Sequence, residues 1–461
     1  MRRESTVNRL RIGIDTGGTF TDLVATDGAR FHRLKVPSTP NDPGRAVLDA
    51  ITALERRLGG PVEGPVRHGT TVATNALLER RGARVVFITN AGFEDLLTLR
   101  RQTRPDLYAL HPITPPPIVP SSRSVGIAGR LGRGGERIEP LEHLDSWAEA
   151  HRETLDSADS FAVCLLHAYV NGVDEAAVAR FLEARYPHRP VTCSHVLAPV
   201  FREYERASTT AVNAYLLPIM AGYLGRLAEA LGPRRPLTVM GSAGGLLAHI
   251  EAQMHPVHTV LSGPAGGVVG AWQIGLRAGR RKLLTLDMGG TSTDVSVVVG
   301  ALTPEDDAQL AEHPLRVPLL PIETVGAGGG SIAYLDPGGI LRVGPESAGA
   351  RPGPACYGHA GPDARPTVTD ANMVLGRLTA LLGGAFPLHR AAAEAAVRRI
   401  ADPLGVDLVN AAHAIVQVAE ANMARTCKRV TMERGIDPRD LTLVAFGGAG
   451  ESRRCDTRAA L

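Results

Sequence analysis

Residues 11–26 read RIGIDTGGTFTDLVAT, and residues 283–299 read LLTLDMGGTSTDVSVVV. Both contain the pattern D-x-G-G-T-x-T-D, at residues 15–22 and again at residues 287–294, with an apolar run on either side. Each copy predicts a strand that ends in aspartate, a tight glycine turn and a returning strand. The chain therefore builds the same acidic hairpin twice, which indicates a duplicated domain and not a solenoid.

This turn has the chemistry of a phosphate site. Glycine tolerates the positive φ that we expect in such a loop, and it lets a phosphate approach the main chain without a clashing Cβ. An aspartate at the strand end can hold Mg²⁺, usually through water, and so help neutralise a polyphosphate. A single copy is equally compatible with an ordinary hairpin that uses Asp and Thr as turn residues. The repetition favours two hairpins that grip a nucleotide from both sides.

A third glycine turn follows late in the chain. Residues 441–450, LTLVAFGGAG, predict a strand that runs into a Gly-Gly turn with room for a purine or ribose. Two phosphate hairpins and a late adenosine loop resemble the layout of the actin, sugar kinase and heat-shock chaperone superfamily. No P-loop competes with this interpretation, because none of the three lysines follows a glycine.

The composition sets limits on partners and location. The 461 residues, 44% of them hydrophobic, predict two domains. Only 4% are aromatic and the net charge is +3, so nucleic acid is an unfavourable partner. Five scattered cysteines without a C-x-x-C pair indicate reduced thiols and a cytoplasmic protein. The start lacks the apolar region of a signal peptide, and the apolar stretch 161–170 is too short to span a membrane.

Strand and helix signals alternate along the chain, which predicts an α/β fold with a parallel or mixed sheet. Strands are predicted at residues 11–14, 22–26, 31–36, 66–70, 83–89, 161–170, 283–299 (two strands) and 441–446, and helices at 43–58, 74–82, 90–99, 174–186, 203–231 and 408–434. The proline-rich residues 112–122 and the Gly/Arg-rich residues 124–135 have loop compositions. We predict an N-terminal domain over residues 1–200, a second domain over 201–450 and an atypical tail over 451–461.

Several further segments, in the same order along the chain, resemble the hydantoinase A/oxoprolinase family. The segments are HGTTVATNALLERRG (68–82), RQTRPDLYAL (101–110), EYERASTTAVNAYLLP (203–218), SGPAGGVVGA (262–271), VGAGGGSIA (325–333), ARPGPACYG (350–358) and TVTDANMVLGRL (367–378). This family comprises the ATP-binding subunits or domains of 5-oxoprolinase, N-methylhydantoinase, and acetone and acetophenone carboxylases. The resemblance implies two duplicated actin-like (ribonuclease H-like) ATPase domains flanking a nucleotide cleft.

The resemblance also implies roles for individual residues. Phosphate or Mg²⁺ contacts are implied for Asp15, Gly17, Gly18, Thr19, Thr21, Asp287, Gly289, Gly290, Thr291 and Asp294, with Asp15 and Asp287 at the metal. Adenosine contacts are implied for Gly447 and Gly448, and a place in the nucleotide cleft for Gly328, Gly329 and Gly330. The catalytic residues would be Asp15, Asp287 and Asp294.

The reaction that the resemblance implies is phosphorylation of an amide or carbonyl oxygen by ATP with Mg²⁺. The leading expectation is a subunit that activates a cyclic amide, such as a hydantoin or 5-oxoproline, for ring opening together with a B-type subunit in an oligomer. A ketone carboxylase subunit uses the same motifs. A non-catalytic or truncated ATP-binding module is the third possibility.

His68, Thr70 and Thr71 lie between a predicted strand and a helix N-terminus, where anions bind readily. An ordinary helix cap explains this pattern as well as a contact with substrate or phosphate, and the family resemblance favours the contact.

Other candidate residues favour structural roles. His255 and His258 have ligand-like spacing but lack a carboxylate pattern, so a metal site is disfavoured. Ser242 and Ser262 both lack the G-x-S-x-G elbow of a serine hydrolase. Cys356, beside a glycine turn, is expected to be a small buried residue and not a reactive thiol.

The sequence departs from the family in three places. Relatives carry proline after the late GGAG and continue, whereas this chain reads ESRRCDTRAAL and stops, so we expect a truncation or frameshift near Gly450. Residues 121–136 differ from the strand usual there. Gly172 stands where proline is usual.

Overall fold

The computed structural model describes residues 8–18, 20–39, 42–103, 106–111, 114–310, 312–349, 351–361, 363–381 and 386–448. The chain forms two compact units, Met1–Gly263 with Pro304–Leu319, and Pro264–Thr303 with Leu320–Leu461. We call them unit 1 and unit 2. The fold is mixed α/β, as the alternation of strand and helix signals predicts.

Unit 1 contains a six-stranded sheet built around the first repeat. In sheet order, its strands are Leu246–Ala248, Leu237–Met240, Val66–Thr70, Arg11–Thr16, Phe20–Thr26 and Phe31–Pro37. The two strands of the repeat pair antiparallel, with Asp15 opposite Asp22. We call residues 11–26 the first hairpin. Its first strand also pairs in parallel with Val66–Thr70, and its second strand pairs antiparallel with Phe31–Pro37.

A second sheet in unit 1 is entirely parallel. Its order is Val191–Cys193, Ser160–Val163, Val85–Asn90 and Ser124–Ile127. The last strand corrects the prediction of a loop over residues 124–135. The composition of this segment does not indicate a strand, because a short edge strand that contains a glycine shows little alternation of apolar and polar residues.

The helix Glu203–Leu231 lies in the core of unit 1. Every residue from 204 to 216 is buried, and a helix that is covered all round belongs to an interior. Ala207 and Leu216 of this helix share one apolar cluster with Ile12 of the six-stranded sheet and Phe87 of the parallel sheet. Residues 201–263 therefore belong to unit 1.

The remaining elements of unit 1 are shorter. The helices are Pro43–Leu58, Val72–Leu78, Leu96–Leu99, Leu144–Ala150, Arg152–Asp156, Val173–Arg185, Ser194–Leu197 and His249–Met254, with 3₁₀ turns at Ser121–Arg123 and Pro256–Thr259. The small strands are Asn8–Arg9, Val62–Glu63, Arg130–Leu131, Arg137–Glu139, Ala308–Leu310 and His313–Leu315.

Unit 2 repeats the arrangement of strands around the second repeat. Its four-stranded sheet has the order Thr442–Phe446, Lys282–Met288, Thr293–Val299 and Glu323–Val325. The hairpin pairs antiparallel, with Asp287 opposite Asp294, and its first strand pairs in parallel with Thr442–Phe446. We call residues 282–299 the second hairpin. Parallel neighbour, hairpin and third antiparallel strand thus follow the same order in both units.

Two long helices cover the sheet of unit 2. Leu283 packs in a cluster with Trp272 of the helix Ser262–Arg277. Leu286 packs instead with Cys427 of the helix Leu408–Met432. Alternating side chains of one strand thus reach opposite faces of the sheet, as the strand period requires. The other elements are the strands Ser331–Leu335 and Leu341–Ser347, the helices Val368–Val374 and Arg390–Leu404, and 3₁₀ turns at Ala355–Tyr357 and Pro438–Asp440.

Most predicted elements are present with shifted ends. The helix predicted at residues 74–82 is Val72–Leu78, and only Leu96–Leu99 is helical in the stretch 90–99. The strand expected over residues 161–170 covers only Ser160–Val163. No helix in the described part of the chain combines the length and apolar character that a bilayer crossing requires.

Candidate functional site

The turn of the first hairpin is held by its own backbone and by one serine. The Gly17 N–H donates to the carbonyl oxygen of Phe20 at 3.1 Å. The Ser38 hydroxyl donates to the Gly17 carbonyl at 2.7 Å and lies 3.0 Å from the Thr21 hydroxyl. Thr21, which the sequence predicts to contact phosphate, is fully buried. Its hydroxyl supports the turn through the contact with Ser38. Thr19 lies outside the described residues.

Acidic groups are concentrated at the end of the first hairpin. Asp15 lies opposite Asp22, and Asp22 forms an ion pair with Lys35 at 2.8 Å. The protein surrounding the Asp15 carboxyl raises its pKa, the charge of Asp22 adds to this effect, and Lys35 opposes it. Asp15 nevertheless keeps an exposed surface. A cation at this carboxylate would therefore be favourable.

The strand Val66–Thr70 brings a glycine against Asp15. Gly69 is the register partner of Asp15 in the parallel pair, and a Cβ at residue 69 would lie 2.7 Å from Oδ1 of Asp15. The hydroxyl of Thr71 donates to the Thr16 carbonyl at 3.3 Å. Thr70 is fully buried, and its carbonyl accepts a hydrogen bond from the Ser262 hydroxyl at 2.8 Å. These residues shape the rim of the first hairpin.

His68 is fully buried, so the structure does not give it the substrate contact predicted for it. Its Nδ1 lies 3.2 Å from the Ile14 carbonyl and its Nε2 lies 2.6 Å from the Tyr223 hydroxyl. Burial lowers the pKa of His68 to about 4. The neutral imidazole therefore donates to Ile14 and accepts from Tyr223, which ties two strands to the helix Glu203–Leu231.

The second hairpin has a turn of the same form. The Gly289 N–H donates to the Ser292 carbonyl at 2.9 Å, and the Thr293 hydroxyl donates to the Ala327 carbonyl. The Thr324 hydroxyl donates to Oδ1 of Asp294 at 2.6 Å. Burial raises the pKa of Asp294, and the hydrogen bond from Thr324 opposes that rise.

The glycines at residues 328–330 lie directly against this second turn. The Gly329 N–H donates to the Gly289 carbonyl at 3.1 Å, and the Gly330 N–H donates to the Gly290 carbonyl at 2.5 Å. A Cβ at residue 328 would lie 2.6 Å from the carbonyl carbon of Thr291. The structure therefore places Gly328, Gly329 and Gly330 beside the second turn. A side chain at residue 328 would displace the backbone of that turn.

The late glycine turn lies against the first strand of the same hairpin, just before its turn. Gly447 has φ +88°, and a Cβ there would lie 2.3 Å from Oδ1 of Asp287. A Cβ at Gly448 would meet no described atom within 4 Å. Gly447 is thus required for both its dihedral angle and its contact with the aspartate, whereas Gly448 borders open space.

The four turn glycines do not adopt the positive φ that the sequence pattern predicts. Gly17, Gly18, Gly289 and Gly290 are absent from the described residues with positive φ. Their dihedral angles therefore do not require glycine. A Cβ at Gly18 or at Gly290 would meet no described atom within 4 Å, so the absence of a side chain leaves the main chain open to close approach in both turns.

The alternative candidates take structural roles. The Ser242 hydroxyl donates to the Val260 carbonyl at 2.6 Å. Cys356 is buried, and burial raises the pKa of its thiol. The rings of His255 and His258 have centroids 6.1 Å apart, and these two histidines do not belong to any cluster of three metal-ligating side chains among the described residues.

Sequence reasoning missed a cluster of Glu175, Cys193 and His195 in unit 1, whose potential ligand atoms all lie within 4.8 Å of one another. The only sequence signal is the C-x-H spacing, which is weak without the distant glutamate. It also missed Ser38 and Thr324, whose hydroxyls brace the two hairpins.

Two protein-family profiles match the chain. A sequence profile described as "Hydantoinase/oxoprolinase" matches residues 206–460, and one described as "Hydantoinase/oxoprolinase N-terminal region" matches residues 11–186. The chain belongs to the hydantoinase/oxoprolinase family. The family resemblance of the sequence is thereby confirmed.

Named members of the hydantoinase/oxoprolinase family resemble the chain over nearly its whole length. Caprolactamase subunit alpha of Pseudomonas jessenii is 38% identical over 95% of this chain and 65% of its own length. The crystal structure of ATP-dependent caprolactamase from the same organism matches with TM-score 0.83 and 36% identity, over 98% of this chain and 67% of that chain. A nucleotide-free structure of acetone carboxylase matches with TM-score 0.82 and 28% identity, over 97% and 66%. The chain therefore spans about two thirds of the length of these relatives.

Proposed function

We propose that this chain is the ATP-binding component of an enzyme that activates a cyclic amide for ring opening. The observation that carries the proposal is the repeated hairpin, with an aspartate pair and an open glycine in each unit. The relative named caprolactamase supports the substrate class, since caprolactam is a cyclic amide. A hydantoin or 5-oxoproline is the alternative substrate of the same class.

The two hairpins would each bind phosphate groups of ATP. Gly18 and Gly290 leave the main chain open, so that backbone N–H groups can donate to phosphate oxygens without a clashing Cβ. The Thr291 hydroxyl, exposed in the second turn, would add a donor. Gly448 borders open space where a ribose or purine would lie against the main chain.

The carboxylates suit Mg²⁺, which prefers hard oxygen ligands. Asp15 and Asp287 would hold the ion, directly or through water, with Asp294 nearby in the second hairpin. The buried hydroxyl of Thr16, next to Asp15, has no hydrogen-bond partner among the described residues, which fits a site completed by a ligand or water. When bound, Mg²⁺ supplies neutralisation of the polyphosphate charge.

The protein would contribute to this reaction mainly by positioning the reactants and not by forming covalent bonds to them. The amide oxygen of the substrate forms a bond to the γ-phosphorus as the bond to ADP breaks, so the amide carbon gains a phosphate leaving group. Water then adds at that carbon, and the ring C–N bond breaks as the nitrogen takes up a proton. A second water hydrolyses the acyl phosphate that remains, which gives a carboxylate and inorganic phosphate. Both hairpins act by holding the triphosphate in line with the amide oxygen.

A B-type subunit is the proposed partner for the ring-opening step. The relative is named as a subunit of an enzyme, which supports a multi-subunit assembly. We propose a cytoplasmic oligomer on this basis.

A ketone carboxylase subunit is the second candidate, because the acetone carboxylase structure matches with TM-score 0.82. Activation would then place the phosphate on a ketone or bicarbonate oxygen. A non-catalytic ATP-binding module is the third candidate.

Substrate-dependent ATP turnover distinguishes these candidates. ADP release is measured with caprolactam, hydantoin and 5-oxoproline, and separately with acetone plus bicarbonate. Each measurement is made with the chain alone and with an added B-type subunit. Stimulation by a cyclic amide alone supports the proposal. Stimulation by acetone and bicarbonate alone supports a carboxylase, and no stimulation in any mixture rejects both enzymatic functions.

A further inference from the structure

A cluster of three potential metal ligands lies in unit 1 and includes no residue of the first hairpin. Glu175 comes from the helix Val173–Arg185, Cys193 from the end of the strand Val191–Cys193, and His195 from the short helix Ser194–Leu197. One ligand atom from each lies within 4.8 Å of the other two. These distances are short enough for one ion to contact all three groups.

The carboxylate of Glu175 is the fixed centre of this cluster. It is fully buried, and Oε1 accepts hydrogen bonds from the Leu165 N–H at 2.8 Å and the Ser194 hydroxyl at 2.6 Å. Oε2 accepts from the His195 N–H at 2.8 Å and lies 2.7 Å from His195 Nδ1. The carboxylate and the imidazole are therefore held in a defined mutual orientation without any ion.

The thiol of Cys193 completes the set. Its Sγ lies 3.8 Å from the backbone carbonyl oxygen of Glu175, to which the S–H donates weakly. Burial and the charge of Glu175 raise the pKa of the thiol, so without an ion it stays protonated. A bound cation would reverse this electrostatic balance, because it would offset the carboxylate charge and favour the thiolate.

Gly172 lies directly beside the imidazole of His195. A Cβ at Gly172 would lie 2.2 Å from Cδ2 of His195 and 2.9 Å from its Nε2. Any side chain at residue 172 would therefore displace the ring from its place beside Glu175. Gly172 thus leaves room for the ring.

The cluster also opens on a cavity. Cys193 and His195 line a cavity of about 910 Å³ within unit 1, together with Thr192, Met254 and His255. His195 is 22% exposed and Glu175 is fully buried, so the accessible side of the cluster is the side of the imidazole and the thiol. An ion here would have protein ligands on one side and open space on the other.

We propose that Glu175, Cys193 and His195 bind a divalent ion of the zinc class, with a fourth coordination position facing the cavity. Thiolate and imidazole select zinc-like ions over Mg²⁺ and Ca²⁺, which prefer oxygen ligands. Binding replaces the contact between His195 Nδ1 and Glu175 Oε2 by bonds from both groups to the ion. The Cys193 thiol loses its proton to solvent, so binding releases acid.

Cobalt spectroscopy tests the site independently of ATP turnover. The reduced protein, with excess Mg²⁺ to occupy carboxylate sites, is titrated with Co²⁺ and then with Zn²⁺. We expect an intense near-ultraviolet thiolate-to-cobalt band that zinc abolishes. Cys193→Ser should lose the band, whereas Cys427→Ser, at a buried cysteine of unit 2, should keep it.

Two further variants separate metal binding from folding. Gly172→Ala keeps all three ligands but displaces the His195 ring, so zinc affinity should fall about 10-fold to 100-fold while the circular dichroism spectrum is unchanged. His195→Ala should weaken binding further. Failure of the wild-type protein to bind cobalt or zinc overturns the proposal, and so does a band that survives in Cys193→Ser. These outcomes leave the proposed ATP function untouched, because the measurement does not involve nucleotide.

Discussion

Gly69 lies so close to Asp15 that a Cβ at residue 69 would come within 2.7 Å of the carboxylate oxygen Oδ1. Unit 2 repeats this relationship, since a Cβ at Gly447 would come within 2.3 Å of Oδ1 of Asp287. In each unit a glycine in the parallel neighbour of the hairpin, or directly after it, therefore leaves room for the first aspartate. The repetition extends from the sequence pattern to the packing around the carboxylates.

We expect Gly69→Ala to lower ATP turnover with little loss of stability. The added methyl group would meet the end of a side chain and not backbone, so Asp15 can move aside, but it then leaves its position at the turn. Steady-state ADP release and thermal unfolding are measured on the same preparation. Turnover equal to that of the wild type would show that the position of Asp15 has no part in the reaction.

Alanine at the open glycines should affect nucleotide binding and not folding. A Cβ at Gly18 or Gly290 meets no described atom within 4 Å, so Gly18→Ala and Gly290→Ala should unfold at the wild-type temperature. A phosphate that approaches the main chain would meet the new methyl group, so the KM for ATP should rise about tenfold or more, the equivalent of about 1.4 kcal/mol. Gly245→Ala and Gly270→Ala are matched controls, since a Cβ there is equally free. Equal KM values in all four variants would contradict phosphate binding at the turns.

Asp15→Asn should reduce turnover strongly without destabilising the protein. The pKa of Asp15 is raised in the folded state, so the folded protein holds this proton more tightly than the unfolded chain does. The contribution of Asp15 to the free energy of unfolding is present at low pH and declines as the pH rises through the pKa of the folded state. The asparagine variant should therefore lack this decline in metal-free buffer, and the comparison is made by chemical unfolding from pH 4 to pH 8. A steeper decline of the unfolding free energy with pH in the variant than in the wild type would contradict a raised pKa of Asp15.

His68 should contribute stability that acid removes. Its pKa is lowered from 6.5 to about 4, so this contribution is complete above the unfolded value and is lost as the pH falls toward the folded value. The shift corresponds to about 3 kcal/mol. The difference in unfolding free energy between wild type and His68→Gln should shrink by about this amount between pH 7 and pH 4. A difference that is constant with pH would show that His68 is not buried in its neutral form.

Local signals in the sequence predicted local structure well. The helix Pro43–Leu58 begins and ends where the sequence predicts, because Pro43 occupies the first turn and Gly59 ends the helix with a left-handed conformation. The two hairpins could also be predicted from the sequence, since the same pattern occurs twice.

Features that depend on tertiary packing could not be read in this way. The helix Glu203–Leu231 has a periodic sequence, but its assignment to unit 1 depends on contacts with two sheets that lie far away in the chain. His68 lies in a short strand just before a helix N-terminus, a position typical of anion sites, and only the packing of Tyr223 against it reveals a buried structural role. The Glu175 cluster joins residues that are distant in sequence, so spacing alone could not reveal it.

We propose that the two hairpins bind one ATP molecule. Calorimetric titration with Mg²⁺ and a non-hydrolysable ATP analogue tests it most directly, with wild type, Asp15→Asn and Asp287→Asn compared under identical conditions. We predict one nucleotide per wild-type chain and at least about tenfold weaker binding in each variant. Two nucleotides per chain, or full affinity in either variant, would contradict the claim.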